Sequence, residues 1–459
     1  MVSQTVRSAL RDVVGKAFVR EDAESLSAYA ADALGQSHPP DLVVVPVTTA
    51  EISAIARLCT EHRVPLVVRG AGTGYTGGAV PTQGGVVLSL ERLNRILEVD
   101  ETNLLAVVEP NVITADLQRA VERVGLFYPP DPASLDRSSI GGNVAECAGG
   151  PRAFKYGTTK RYVLALEAVL PTGEIVETGS KAVKNVVGYD LTQLLVGSEG
   201  TLAIITRVTL RLVPKPPAQA ALSASFRDIR GAVDAVTALI ARRVTPAALE
   251  LIDRESLRAL EAHVGRAMAP GGSEAMLIVE CDGMPAAVDE EIERVAESCR
   301  DAGATEIRRA ASEGERDELW SARRELSPAL FATGFKKINH DVVVPRGRVP
   351  QLFDVIADLS RRHRLCIASF GHAGDGNIHV NLMIDRDDAD ERRRAREAER
   401  ELFERVVALE GSITGEHGIG FAKAPYLSIE LSAEEIALMK RVKQAFDPAG
   451  ILNPGKIFP

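Results

Sequence analysis

The segment Arg69-Gly70-Ala71-Gly72-Thr73-Gly74-Tyr75-Thr76-Gly77-Gly78 constrains this chain more than any other. It comes after an apolar, strand-like run, Pro65–Arg69, and Gly72–Gly77 fits the pattern G-x-G-x-x-G, which opens a helix in dinucleotide-binding βαβ units. The residues beyond it speak against that helix. Gly78-Ala79-Val80-Pro81-Thr82-Gln83-Gly84-Gly85 brings a proline and three glycines, a poor start for the helix whose N-terminus would receive a pyrophosphate. Two readings remain: an irregular loop whose successive N–H groups line an anion, or a glycine-rich turn. Two more small-residue loops occur further along the chain, Ser138–Gly150 after Pro129-Pro130-Asp131-Pro132, and Gly197-Ser198-Glu199-Gly200-Thr201. Three such loops, each tied to strands, imply a long ligand threaded between sheets.

The surrounding pattern is that of an ordinary globular protein. At about 100–200 residues per domain, 459 residues suggest two to four domains. Strands are expected at Leu42–Val45, Pro65–Arg69, Gly84–Ser89, Leu104–Val108, Val163–Pro171 and Leu202–Leu212. Helices are expected at Ala50–His62, capped by Thr49, and at Thr114–Val124. Val213-Pro214-Lys215-Pro216-Pro217 interrupts the pattern, because proline cannot continue a central strand. Beyond it, strands at Ala221–Phe226, Ala247–Asp253 and Ala275–Cys281, with helices Arg230–Arg242 and Ala286–Ala302, suggest an α+β domain on an antiparallel sheet. The charged run Asp385–Arg405 reads as a helix with Ala395, Ala398, Leu402, Val406 and Leu409 on its inner face. Ser432 and Glu435 form a capping box for the last helix.

Net charge is −9, from 54 basic and 63 acidic residues, which argues against nucleic acid as the main partner. The five cysteines are scattered, with no C-x-x-C. An iron–sulfur cluster held within this chain is not expected, and a reducing compartment fits. The N-terminal residues read as an amphipathic helix without a secretory apolar core. No apolar run reaches the ~20 residues of a membrane-spanning helix. A cytoplasmic location is expected, with peripheral membrane contact only through an acceptor.

Two histidine motifs carry chemistry. In His372-Ala373-Gly374-Asp375-Gly376-Asn377-Ile378-His379-Val380-Asn381, the residues from Ile378 alternate as a strand does, with His379 and Asn381 on one side. The glycines let His372 fold back towards His379. Gly415-Glu416-His417-Gly418-Ile419-Gly420 supplies a carboxylate and a third imidazole. Two histidines and a carboxylate are a common catalytic zinc set, and manganese is compatible; on their own, His372 and His379 also read as structural histidines. A third cluster, Trp320-Ser321-Ala322-Arg323-Arg324-Glu325 with Lys336-Lys337, offers cations that suit a carboxylate, or an ordinary helix surface.

The order R-G-A-G-T-G-x-T-G-G, P-P-D-P, S-I-G-G-N-V-A, K-Y-G, G-S-E-G-T-L-A-I-I-T and Leu452-Asn453-Pro454-Gly455-Lys456 resembles FAD-linked oxidoreductases of the vanillyl-alcohol oxidase and p-cresol methylhydroxylase type. Within these it is similar to the D-lactate dehydrogenase, D-2-hydroxyglutarate dehydrogenase and glycolate oxidase D-subunit group. The resemblance implies an α+β architecture: a two-subdomain FAD-binding fold over residues 1–214, an inserted cap domain on an antiparallel sheet over 215–408, and a C-terminal segment, 409–459, returning to the first domain. It implies that Arg69, Gly70, Ala71, Gly72, Thr73, Gly74, Thr76, Gly77 and Gly78 hold the FAD pyrophosphate. Pro130, Asp131, Ser134, Ser139, Gly141, Gly142, Asn143, Ala145 and Gly149 would line the rest of the cofactor, together with Tyr156, Gly157, Glu199, Gly200, Ile204, Ile205 and Asn453. Noncovalent FAD is expected, since the first loop holds neither histidine nor cysteine.

By the same resemblance His372, His379 and Glu416 bind a divalent metal, zinc or manganese, and His417 is the base. Arg323 and Lys336 (or its neighbour Lys337), with Asn381 and Ser327, contact substrate. The activity implied is oxidation of a D-2-hydroxy acid, of D-lactate or D-2-hydroxyglutarate type, to the 2-oxo acid. Metal-assisted proton abstraction accompanies hydride transfer to flavin N5, and electrons pass to an external acceptor: electron-transfer flavoprotein, a cytochrome, a quinone system or an iron–sulfur subunit. A homodimer is compatible. The alternatives are a glycolate oxidase D-like subunit working beside iron–sulfur chains, an oxygen-using flavin alcohol oxidase, and a flavin-free metallohydrolase.

Overall fold

Apolar residues four apart and a serine cap start the first helix: Ser3 Oγ accepts from Val6 N, and Val6, Leu10 and Val14 are buried along one side of Gln4–Val14. The computed structural model describes residues 2–458; Met1 and Pro459, at the ends of the expected first and last segments, lie outside the described residues. The chain divides into two compact units. One comprises Met1–Gly149, Thr158–Lys215 and Glu416–Pro459, the other Gly150–Gly157 and Pro216–Gly415. The first passage falls among the prolines at 214, 216 and 217, next to the expected boundary. The return falls at 415/416 instead of 408/409, and residues 150–157 belong to the second unit. Lys155 and Tyr156 are held there by Asp282, whose carboxylate accepts from Lys155 Nζ at 2.5 Å and Tyr156 Oη at 2.6 Å.

The first unit contains strands β1 (Val19–Arg20), β2 (Leu42–Val44), β3 (Leu66–Arg69), β4 (Val86–Ser89), β5 (Ile96–Asp100), β6 (Leu105–Val108), β7 (Leu126–Phe127), β8 (Val163–Val169), β9 (Ile175–Gly179), β10 (Ile204–Arg211) and β11 (Val213–Pro214). One sheet has the order β1-β2-β4-β3, with β4 parallel to both β2 and β3. Another, β5-β6-β10-β8-β9, is antiparallel throughout, and β7 pairs with β11. Leu42, Leu66, Leu88, Ile52, Ile55, Val169 and Ile204 share one core with Leu452 from the C-terminal segment. Leu452 bridges to Leu66, and Asn453 N donates to Leu66 O at 2.8 Å. The cap of helix Thr49–Glu61 is Thr48, one residue earlier than expected.

The second glycine cluster contains a helix, Ile140–Glu146, where a loop was expected. Ser139 caps it by accepting from Gly142 N. A side chain at Gly141 would place its Cβ 2.6 Å from Pro110 Cβ, so these glycines serve close packing. The first cluster, by contrast, stays irregular from Gly70 to Gly85.

The second unit is built on seven antiparallel strands: β12 (Ala218–Phe226), β13 (Ala248–Asp253), β14 (Ala275–Gly283), β15 (Glu306–Arg309), β16 (Lys336–Val343), β17 (Cys366–His372) and β18 (Asn377–Ile384). Their order is β15-β12-β14-β13-β17-β18-β16. Helices Arg254–Val264, Glu313–Arg324 and Leu326–Ala332 pack on part of one face, against Ile252, Met276, Phe370 and Met383. Helix Ala389–Ala408 covers the opposite face of β16, its Phe403 ring 5.0 Å from His340. The expected inner positions Ala395, Ala398, Leu402 and Val406 are buried, and the expected Ser432–Glu435 capping box is formed.

Candidate active site

Residues opposite one another across a β-ladder share a face, as do residues two apart along a strand. Glu250 stands opposite His372, Phe370 opposite His379, and Ala368 opposite Asn381. On the next strand His379 faces Asp341, Asn381 faces Asn339, and Met383 faces Lys337. One face of the second unit's sheet therefore collects Glu250, His372, His379, Asn381, Asn339, Asp341 and Lys337.

The strand β17 ends at His372, and the turn to β18 returns His379 beside it, with ring centroids 5.3 Å apart. His372 Nδ1 lies 2.5 Å from Glu250 Oε1. Glu250 Oε2 takes both Nε and Nη2 of Arg323, also at 2.5 Å, and the guanidinium carbon stands 4.8 Å from the Phe370 ring centroid. All three of these ionic side chains are buried. Burial opposes ionisation of Glu250, but Arg323 and then His372 outweigh it and hold the carboxyl down to about 2. The guanidinium fork expected to meet a substrate carboxylate thus meets Glu250, which gave no periodic or motif signal in the sequence.

Register separates the two candidate lysines. Lys336 stands opposite Ile384, on the other face, and is exposed; Lys337 shares the face of His379 and Asn381. Lys337 Nζ donates to Ser327 Oγ at 2.5 Å and sits 4.2 Å from the Phe331 ring centroid. Burial lowers its ammonium to about 8. The Asn381 amide is buried in bonds of its own: Nδ2 donates to Ala368 O at 2.9 Å, and Oδ1 accepts from Asn339 Nδ2 at 2.8 Å. Asp341 anchors the end of this unit, accepting from Gly415 N through Oδ2 at 3.0 Å and through its own carbonyl at 2.7 Å. Glu416 is the next residue in the chain.

In the first unit, the loop carrying His417 is clamped from two sides. Thr76 Oγ1 donates to His417 O at 3.0 Å, while Phe421 N and Ala422 N donate to Thr76 O. Gly77, at φ +82°, has no room for a side chain: a Cβ would lie 2.1 Å from Phe421 Cε1. Glu199 accepts from Ile419 N and Gly420 N, both at 2.7 Å. Burial raises its carboxyl, while those two backbone bonds pull the other way. The His417 ring lies 5.2 Å from the Tyr75 ring. A Cβ at Gly149 would come 2.8 Å from Glu416 Oε2.

The remaining segments expected at the cofactor also converge in this unit. Asn453 Nδ2 donates to Gly78 O and Glu199 O, Glu199 N donates to Ala145 O, and Ala71 N reaches Ser139 Oγ. Ile204 and Ile205 lie on β10, Asn143 Nδ2 donates to Thr114 Oγ1, and Gln118 Nε2 donates to Pro130 O. Ser134 O accepts from Arg137 N and Ser138 N in the turn after Asp131. Tyr156, with Gly157 next to it, belongs to the second unit and puts its hydroxyl on Asp282. Arg69 directs Nη1 to Ala31 O at 2.8 Å and lays its guanidinium against Gly72 of the glycine loop, where a Cβ would stand 2.6 Å from Arg69 Cζ.

Residues 215–457 match the family described as "FAD linked oxidases, C-terminal domain", and residues 40–179 match "FAD binding domain". The chain belongs to the FAD-linked oxidases. This family member is 44% identical over 459 residues to the glycolate oxidase subunit GlcD of Bacillus subtilis, covering 100% of this chain and 97% of that protein. It is 36% identical to the D-lactate dehydrogenase of Anaerostipes hadrus, covering 91% and 89%. Its fold is that of p-cresol methylhydroxylase, at TM-score 0.82 and 18% identity over 99% of this chain and 97% of that one.

FAD is the cofactor of this oxidase, and the first loop suits its anionic part. The N–H groups of Gly72, Thr73 and Gly74 have no hydrogen-bond acceptor among the described residues. Successive backbone donors of this kind form an anion nest. Buried Asn111 Oδ1 likewise lacks a partner, 3.8 Å from where a Cβ on Gly70 would stand. The His372–His379 pair suits a transition metal, because Glu250 occupies Nδ1 of His372 and leaves Nε2 as its ligating atom.

Proposed function

We propose that this FAD-linked oxidase is a dehydrogenase of a small D-2-hydroxy acid, producing the 2-oxo acid and passing electrons to an external acceptor. The full-length similarity to a glycolate oxidase subunit and to a D-lactate dehydrogenase carries the substrate class. His372, His379 and Glu416 are the proposed ligands of a divalent ion, zinc or manganese, matching the two-imidazole, one-carboxylate donor set of catalytic sites. Bound FAD would supply the hydride acceptor, and an ion held by His372, His379 and Glu416 would supply Lewis acidity towards the substrate hydroxyl.

The chain's own groups do the rest. His417 takes the hydroxyl proton; a neutral imidazole suits that task near neutral pH. The Lys337 ammonium attracts the substrate carboxylate, with Ser327 holding its Nζ in place. Arg323 contributes positive charge to the same face while bonded to Glu250. The Asn339–Asn381 pair fixes the amide beside them. Thr76, Gly77 and Glu199 hold the His417 loop so that the base needs little reorganisation.

Anaerobic mixing of the FAD-loaded protein with D- and L-2-hydroxy acids tests this directly. Bleaching of the flavin by D-acids such as D-lactate, or by the achiral glycolate, is expected. Absence of bleaching with every 2-hydroxy acid overturns the proposal. A second reading, favoured by the GlcD similarity, is that turnover requires partner subunits carrying the onward electron path. Under it, flavin bleaching occurs in the isolated chain, but multiple turnover with a dye does not.

A further inference from the structure

Glu250 lies outside every motif, yet its carboxylate is bonded to both His372 and Arg323. Its two oxygens divide the work: Oε1 meets His372 Nδ1, and Oε2 meets Nε and Nη2 of Arg323. All three side chains are buried in the second unit, on adjacent strands β13 and β17 and the helix Glu313–Arg324. An ionised carboxylate can only accept hydrogen bonds, and arginine can only donate them. The proton of a neutral His372 is therefore held on Nδ1, and the lone pair on Nε2.

From this geometry we infer that Glu250 is a positioning residue that fixes His372 as its Nδ1–H tautomer and, through the same carboxylate, holds Arg323 on the substrate face. The inference rests on the proposed metal site in one respect: the Nε2 lone pair is what a metal would use. The ligand and the anion-attracting arginine are thereby set by one side chain, so a change at Glu250 disturbs both.

Glu250→Gln separates these roles from mere core packing. Glutamine keeps the volume but offers a single acceptor to two donors. The charged guanidinium takes the amide oxygen, and the amide NH2 then faces His372. Hydrogen bonding from that NH2 requires Nδ1 to be the acceptor, which moves the ring proton to Nε2, where a metal must displace it. Two measurements read this out, alongside a thermal melt to verify folding. Long-range 1H–15N spectra of metal-free, histidine-labelled protein, with His372 assigned by His372→Gln, should show Nδ1–H in the wild type and Nε2–H in Glu250→Gln. Competition between the protein and a chelator for Zn2+ or Mn2+ should show affinity falling about 10–100-fold, the usual cost of removing a carboxylate behind a ligating histidine. Arg323→Met tests the second arm: it should leave the His372 tautomer unchanged and raise KM more than it lowers kcat.

An Nε2–H wild-type ring, or an unchanged tautomer in folded Glu250→Gln, overturns the inference. Unchanged metal affinity in that variant, with the wild type binding metal, overturns it as well. If neither the wild type nor any variant binds metal, the metal reading fails on its own, and the tautomer still decides the role of Glu250. Should Glu250→Gln not fold, the wild-type spectrum and Arg323→Met decide it.

Discussion

His417 is the residue whose loss should remove chemistry and spare the fold. Its loop is held by backbone bonds to Thr76 and Glu199, which the side chain does not make. His417→Ala should therefore melt close to the wild type and keep its yellow FAD. Stopped-flow reduction by substrate should slow about 10²–10⁴-fold, the range for a lost general base; wild-type reduction would remove His417 from that role. Lys337 carries a pH signature. Its ammonium, lowered to about 8 by burial, is charged below that pH and neutral above it. Substrate KM should rise as pH passes upward through about 8, and Lys337→Met should flatten that rise. Stability changes in the opposite sense. Between about 8 and the ordinary 10.5 the unfolded chain holds a proton that the folded chain has lost, so this group's contribution to stability grows with pH. Equilibrium denaturation across that window checks the sign. Both residues stood in legible motifs, but the choice of Lys337 over Lys336 needed the β16–β18 register.

At the scale of elements, periodicity and caps carried far. The helix Ala433–Phe446 begins where Ser432 and Glu435 cap each other. Ser432→Ala should lower stability by about 1 kcal/mol, the usual cost of a lost cap, read by denaturant titration. Leu88 in β4 is fully buried in the core it shares with Leu42 and Leu66, and Leu88→Ala should cost about 2–5 kcal/mol by the same measurement. Where reading the sequence failed, packing had overridden local preference. Ile140–Glu146 is helical despite Gly141 and Gly142, because Ser139 caps it and Pro110 leaves no room for larger side chains. The strand Cys366–His372 was missed too. It is buried on both faces from Ile367 onward and shows no alternation to read.

On the scale of the whole molecule, each unit keeps its part of the chemistry in order by protein contacts alone. The His372–Glu250–Arg323 chain is held by bonds between its own side chains. Chelator-stripped protein should consequently keep its circular dichroism and melting behaviour while losing turnover, and added Zn2+ or Mn2+ should restore it. Full turnover in protein verified metal-free would exclude a catalytic ion. Among the described residues no helix is long and apolar enough to cross a membrane.

By itself, the sequence determined what depends on neighbours along the chain. The glycine loop that cannot open a helix, the proline break at 213–217, the capping box and the alternation of His379 with Asn381 are all set by local backbone chemistry. The motif order was also enough to point to the FAD-linked family. Only the tertiary structure decided what depends on register and burial. It turned Lys337 rather than Lys336 to the polar face, closed Gly77 against Phe421 and joined Arg323 to Glu250. It also seated Tyr156 on Asp282. Those outcomes hinge on which strands become neighbours, and strand pairing joins residues more than a hundred positions apart, such as Glu250 and His372.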